Sequence, residues 1–170
     1  MNAEIRRKEI LTILEASDSP VSASSLAKRF HVSRQIIVGD IALLRAGGEE
    51  ITALPRGYVI HSARPGLVRR IPCVHAPEDI AEELYIMVDN GCYVQDVIVE
   101  HPLYGQLTGP LDLQSRYDVT RFVKKARESK ALPLSDLTGG VHLHTVICPD
   151  EETCERVLSQ LKEKGFLFVN

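Results

Sequence analysis

His142 and His144 stand two residues apart in the stretch Gly-Gly-Val-His-Leu-His-Thr-Val, residues 139–146. Two glycines followed by aliphatic and β-branched residues predict a strand, on which alternate side chains share one face. A packed sheet gains nothing from paired imidazoles on one face unless they bind something. His75 closes another predicted strand, 67–75, and Glu83 follows eight residues later on a predicted helix running to about Asn90. Ile80, Leu84, Met87 and Val88 make that helix's apolar stripe, and Glu83 falls at its edge, where a carboxylate needs a cation or a donor. Three imidazoles and a carboxylate suit a borderline divalent ion such as nickel, zinc, iron or cobalt, and suit calcium or magnesium poorly. The same set could serve a hydrolytic zinc site with Glu83 as base. Against that, there is no helical His-Glu-x-x-His, no nucleophile elbow and no phosphate loop, and spacing assembles no catalytic triad. Spacing alone does not bring His75 to the His-x-His strand. Cys73 and Cys148 share strand parity with the histidines; buried inert thiols are expected, with thiolate ligation the alternative.

The elements that would position this set are legible in outline. Residues 94–101 and 103–113 read as a β-hairpin turning at Pro102. A helix is expected from Asp118, its cap, to Ser129, burying Val119, Phe122, Val123 and Ala126. A short connection over 132–137 leads to the strand 141–148, then a helix over 150–164 with Val157, Leu158 and Leu161 inward. A last strand over 166–169 closes the chain. Strands interleaved with three helices predict an α/β sandwich with a mainly antiparallel sheet, covered by helices on one face.

The front of the chain follows another grammar. Ile5, Ile10, Ile13 and Leu14 predict an amphipathic helix from about Ala3 to Ala16, ended by Asp18-Ser19-Pro20. Ser22 and Ser33 are N-cap residues, with the apolar pairs Val21/Leu26 and Val32/Ile37 as hydrophobic staples. Two Ser-capped helices separated only by His31-Val32-Ser33 form a helix-turn-helix signature. The helix from Arg34 to about Ala46 buries Ile37, Ile41 and Leu44 and leaves Arg34, Gln35, Val38 and Arg45 outward. Those residue types read base edges in the major groove. Gly39, mid-helix, costs about 1 kcal/mol, and close approach to a phosphate is one reason to keep it. Gly47-Gly48 ends this helix, and strands 51–54 and 58–60 flank Pro55-Arg56-Gly57, a wing whose Arg56 is placed to reach the DNA backbone or minor groove. The fold class is therefore α+β, with a winged helix-turn-helix over 1–66, a break at Pro65-Gly66, and a second domain over 67–170.

Charge agrees with the division. The first 66 residues carry nine Lys/Arg against seven Asp/Glu, and the remainder eleven against sixteen. A mildly basic front suits nucleic acid, and an acidic back suits a sensing or dimerising module. Four scattered cysteines, no signal peptide and no long apolar run predict a reduced, cytoplasmic protein with no membrane span.

Five stretches resemble the NiaR family of niacin-responsive repressors: 32–45 (Val-Ser-Arg-Gln-Ile-Ile-Val-Gly-Asp-Ile-Ala-Leu-Leu-Arg), 56–58 (Arg-Gly-Tyr), 99–105 (Val-Glu-His-Pro-Leu-Tyr-Gly), 115–119 (Ser-Arg-Tyr-Asp-Val) and 139–145. The resemblance spans essentially the whole chain. It implies a non-enzymatic repressor of NAD-synthesis or niacin-uptake genes, with a winged helix-turn-helix, a three-histidine domain, a homodimer and a double-stranded, palindromic operator. It implies nicotinic acid as co-repressor, and a metal, nickel foremost with zinc or iron as alternatives, on His75, Glu83, His142 and His144. DNA contacts are then expected from Ser33, Arg34, Gln35, Val38, Arg45 and Arg56. Nicotinic acid offers a pyridine nitrogen to the metal and a carboxylate to His101, Tyr104 or Arg116. Gly39 occupies a position where many relatives are expected to carry Arg. Two other readings stay open: a repressor whose signal is the metal itself, and a metal-dependent enzyme fused to a DNA-binding domain.

Overall fold

The computed structural model describes residues 2–60 and 64–169. It divides into two compact units, the first ending at Arg64 and the second beginning at Pro65. Residues 61–63 of the expected linker lie outside the described residues.

In the first unit, α1 (Ala3–Glu15), α2 (Ala23–Phe30) and α3 (Arg34–Ala46) start on the side chains of Asn2, Ser22 and Ser33, each accepting a backbone N–H. These caps satisfy donors that the first helical turn leaves unpaired. His31 ends α2 in the left-handed conformation at φ 54° and turns the chain into α3. Ile10, Leu14, Leu26, Phe30, Ile37 and Ile41 fill the core. Asp40 is buried among them, and Arg6 of α1 binds it at 2.6 Å, with Arg7 at 3.5 Å. An acid between Ile37 and Ile41 is the signal for such a clamp. Strands β1 (Ile51–Leu54) and β2 (Gly57–Ile60) pair antiparallel across Pro55-Arg56. Tyr58 also exchanges two 2.9 Å backbone bonds with Val21, which ties the wing to the entry of α2.

The second unit is a four-stranded sheet in the order β3–β6–β4–β5, every ladder antiparallel: β3 (Leu67–Val74), β4 (Tyr93–His101), β5 (Gly105–Leu113) and β6 (Val141–Cys148). Helices α4 (Ile80–Asp89), α5 (Arg116–Ser129) and α6 (Glu151–Glu163) cover one face. Leu84, Met87, Val119, Val157 and Leu161 pack there against Ile71, Val94, Val146 and Cys148. All four cysteines are free and buried.

Three local expectations need correcting. Ser115, not Asp118, caps α5; Asp118 sits one turn in and accepts a 2.7 Å bond from the Ser115 hydroxyl, a reciprocal arrangement of the capping-box kind. The connection before β6 holds a 3₁₀ turn, Leu134–Thr138, which brings Ser135 into the interior. The last residues form a single bridge, Cys73 with Leu167, rather than a strand, held by bonds from Val74 to the Phe166 carbonyl and from Phe168 to the Pro72 carbonyl.

Candidate metal centre and DNA-reading surface

The sheet order brings together what sequence spacing could not. Because β3 pairs with β6 in the register Cys73↔His142 and Ile71↔His144, His75 emerges beside His142 as β3 ends. Gly140 makes this approach possible: at φ +94° it lies so close to His75 that an added Cβ would sit 2.5 Å from the His75 carbonyl oxygen. From above, α4 lowers Glu83 between the three rings. Glu83 is therefore not at a rim but fully enclosed, 1% exposed.

Glu83 Oε2 lies 2.8 Å from His75 Nε2 and 3.3 Å from His144 Nε2, and Oε1 lies 3.1 Å from His142 Nε2. The rings meet edge to face, His75 on His142 at 4.9 Å and His142 on His144 at 4.8 Å between centroids. The opposite nitrogens are all engaged: His75 Nδ1 bonds the Ala76 carbonyl, His142 Nδ1 the Gly140 carbonyl and His144 Nδ1 the Asp96 carbonyl, at 2.8, 2.8 and 2.7 Å. A carbonyl only accepts, so each Nδ1 carries the proton and donates. The Asp96 carbonyl reaches His144 because β4 bulges between Val94 and Asp96, and the Asp96 carboxylate accepts the Thr145 N–H at 3.0 Å.

Three rings held in one tautomer leave three Nε2 lone pairs facing a carboxylate. Without a cation, attraction requires protonating the rings, and imidazoliums packed around one carboxylate in a closed interior are expensive. Burial alone lowers His75 and His144 and raises Glu83. The mutual contact outweighs it: both rings sit above the usual imidazole range, and Glu83 well below the usual carboxylate range. A divalent cation among these atoms satisfies every lone pair at once. Two ligands each about 2.1 Å from one ion lie roughly 3.0–3.4 Å apart, close to the separations seen here. Metal-ligating histidines ordinarily donate their other ring N–H to a carbonyl or carboxylate in this way, which fixes the ring. Cys73 adds a further donor: its sulfur, a Glu83 oxygen and a His142 nitrogen lie within 4.8 Å of one another. Burial and Glu83 push its thiol up, so in the metal-free protein it stays protonated.

A chamber of about 30 Å³ adjoins the cluster, roofed by Ile80, Leu84 and Phe122 with Ser135 in its wall. Ser135 and Phe122 are site residues that spacing did not single out for that role. Phe122 is read from sequence only as core, and nothing in the 132–137 connection marks Ser135.

The three residues assigned to the nicotinate carboxylate are not brought to this cluster. Val97 pairs with His144, and His101 lies four residues further, roughly 13 Å along the strand. There its Nδ1 accepts the Leu103 and Tyr104 N–H groups, and its ring stacks on exposed Tyr104. Arg116 makes a two-pronged bond to Asp89 at 2.7 and 2.6 Å and covers the Tyr85 ring. On the first unit, Ser33, Arg34, Gln35, Val38, Arg45 and Arg56 are all exposed. A Cβ added to Gly39 would meet nothing within 4 Å, so no neighbour in the chain requires glycine there.

Comparison with known proteins agrees with both units. An HTH domain profile matches residues 6–59, and a 3H domain profile matches residues 68–170. The "Probable transcription repressor NiaR" of Thermotoga maritima is 51% identical over 162 residues, covering 95% of this chain and 93% of that protein. The "Transcription repressor NadR" of Bacillus subtilis is 43% identical over 166 residues, covering 95% of this chain and 92% of that one. Among the described residues no helix is long and apolar enough to cross a membrane. With a DNA-binding helix-turn-helix in front and a 3H domain behind, the chain belongs to the NiaR/NadR family of transcription repressors.

Proposed function

We propose that the chain represses genes of NAD synthesis or niacin uptake, binding a palindromic operator as a homodimer with nicotinic acid as co-repressor and a divalent ion, nickel foremost, on His75, Glu83, His142 and His144. One observation carries the metal: three imidazoles, each locked by a backbone carbonyl with Nε2 turned inward, converge on one enclosed carboxylate. When bound, the ion supplies a fixed positive charge and a common anchor for β3, β6 and α4. The residues do the rest. Phe122, Ile80 and Leu84 set apolar side chains beside the cluster, and Glu83 neutralises half the ion's charge. Arg34, Gln35 and Val38 present donors and an apolar surface to base edges, and Arg56 presents a cation to the phosphates.

A metal-responsive repressor with no organic effector is the second reading. The size of the chamber favours it, since about 30 Å³ admits little more than water or an ion. Operator binding titrated with nickel alone, then with nickel plus nicotinate, separates the readings. The co-repressor reading expects a further tightening of tenfold or more on adding nicotinate. Nickel alone producing the full effect selects the metal sensor. His142→Ala/His144→Ala is expected to abolish both responses while the first unit stays folded.

A further inference from the structure

Beside the metal chamber, and sharing Ile80 and Phe122 with it, lies a larger recess of about 280 Å³ between the start of α4 and the end of α5. Its walls are mainly apolar: Pro77, Ala81, Val123 and Ala126 add to the two shared residues. At the C-terminal end of α5, Arg127 and Lys130 border it. Among the described residues neither side chain makes an ion pair or hydrogen bond, whereas Arg116, Arg121 and Lys124 on the same helix are engaged by Asp89, Tyr117 and Glu128. Glu78 is the one acid on the lining, so the recess keeps a net positive charge. Lys130 holds the left-handed conformation at φ 54°, where glycine is the ordinary choice, so a cation is kept at some backbone cost. Cations at a helix C-terminus also offset its dipole, but that does not require both to border one apolar recess. The other recess beside the cluster, lined by His75, Ser135, Asp136 and Gly140, has an acid and no cation.

We infer that this recess between α4 and α5 is a binding site for a small aromatic monocarboxylate, its ring against Phe122, Ile80 and Val123 and its carboxylate on Arg127 and Lys130. An apolar slot of single-ring size with cations at one end is what such a ligand needs. In the co-repressor reading, on which the choice of nicotinate rests, the effector would sit next to the metal chamber, packed on the residues that roof it. Arg127 and Lys130 would then do the work that sequence assigns to His101, Tyr104 or Arg116.

The test is calorimetric titration of the nickel-loaded full chain with nicotinate, benzoate and nicotinamide. Both acids are expected to bind and the amide to bind at least tenfold more weakly. Arg127→Gln/Lys130→Gln should weaken both acids by tenfold or more, as expected for a lost charge-assisted hydrogen bond. Lys125→Gln, an exposed cation of the same helix outside the recess, should change nothing. Lys130→Gly guards against misfolding: it relieves the left-handed backbone, so thermal stability should hold or rise while acid binding falls. Undiminished binding of the acids to the double variant overturns the site, as does equal binding of the amide. Failure of both acids to bind the wild type overturns the site and the co-repressor reading together. Benzoate binding that depends on Arg127 and Lys130, without nicotinate binding, keeps the site and rejects only the choice of nicotinate.

Discussion

Each histidine of the cluster has one committed nitrogen and one available, and at His75 and His144 protons compete with any ion for the available one. In the metal-free protein His75 and His144 are raised because the attraction of Glu83 outweighs the effect of burial. Their stabilisation is therefore full below the unfolded value of about 6.5 and is lost as pH rises through the folded values. Glu83 is lowered, so its contribution is present above its unfolded value and is lost only as pH falls through a folded value well below that. The metal-free protein should thus be most stable in mild acid and lose thermal stability as pH rises through neutrality. Ion binding releases those protons and runs the other way. Melting curves between about pH 5.5 and 8.5, with chelator and with nickel, should diverge as pH rises. Curves that stay parallel would count against an ion on these rings.

At the scale of elements, two glycines test two different uses of the residue. Gly140→Ala forces a Cβ onto the His75 carbonyl and strains a left-handed backbone, so it should cost about 1–3 kcal/mol and lower nickel affinity by spreading the rings. Gly39→Ala meets open space on α3 and should stabilise the protein by about 1 kcal/mol. If close approach to a phosphate keeps glycine there, the same variant binds operator more weakly; unchanged operator affinity removes that explanation. Capping serines and apolar stripes made α1, α2, α3, α4 and α6 legible, because those signals are local. The start of α5 is not legible, because Ser115 and Asp118 both carry capping chemistry and only the contacts show which leads. The 3₁₀ turn carrying Ser135 left no periodicity to read. The four candidate donors could be named from their chemistry, but their meeting depended on β3 lying next to β6, a long-range pairing that no local pattern encodes. Arg127 and Lys130 were invisible as a pair because their relevance comes from the recess they border.

For the whole molecule, the first 66 residues carry nine basic against seven acidic residues, and the remainder eleven against sixteen. On the proposed operator, Arg34 near the start of α3 reads a base and Arg56 on the wing holds phosphate. Arg34→Ala should cost about 1–3 kcal/mol at the cognate site and relax sequence preference. Arg56→Ala should weaken all sequences alike and reduce the salt dependence by about one phosphate contact. Loss of sequence preference in Arg56→Ala and not in Arg34→Ala would reverse the assignment of roles. Linkage adds a constraint that needs no further structure: if nicotinate tightens operator binding by some factor, operator DNA tightens nicotinate binding by the same factor.

The three carbonyls that hold the rings come from three separate places: the second residue past β3, the glycine turn before β6, and the bulge of β4. An ion on the rings would therefore stitch together main-chain segments that are far apart in sequence. Amide hydrogens around Ala76, Gly140 and Asp96 would then open to solvent exchange as one cooperative unit in the loaded protein, and separately without the ion.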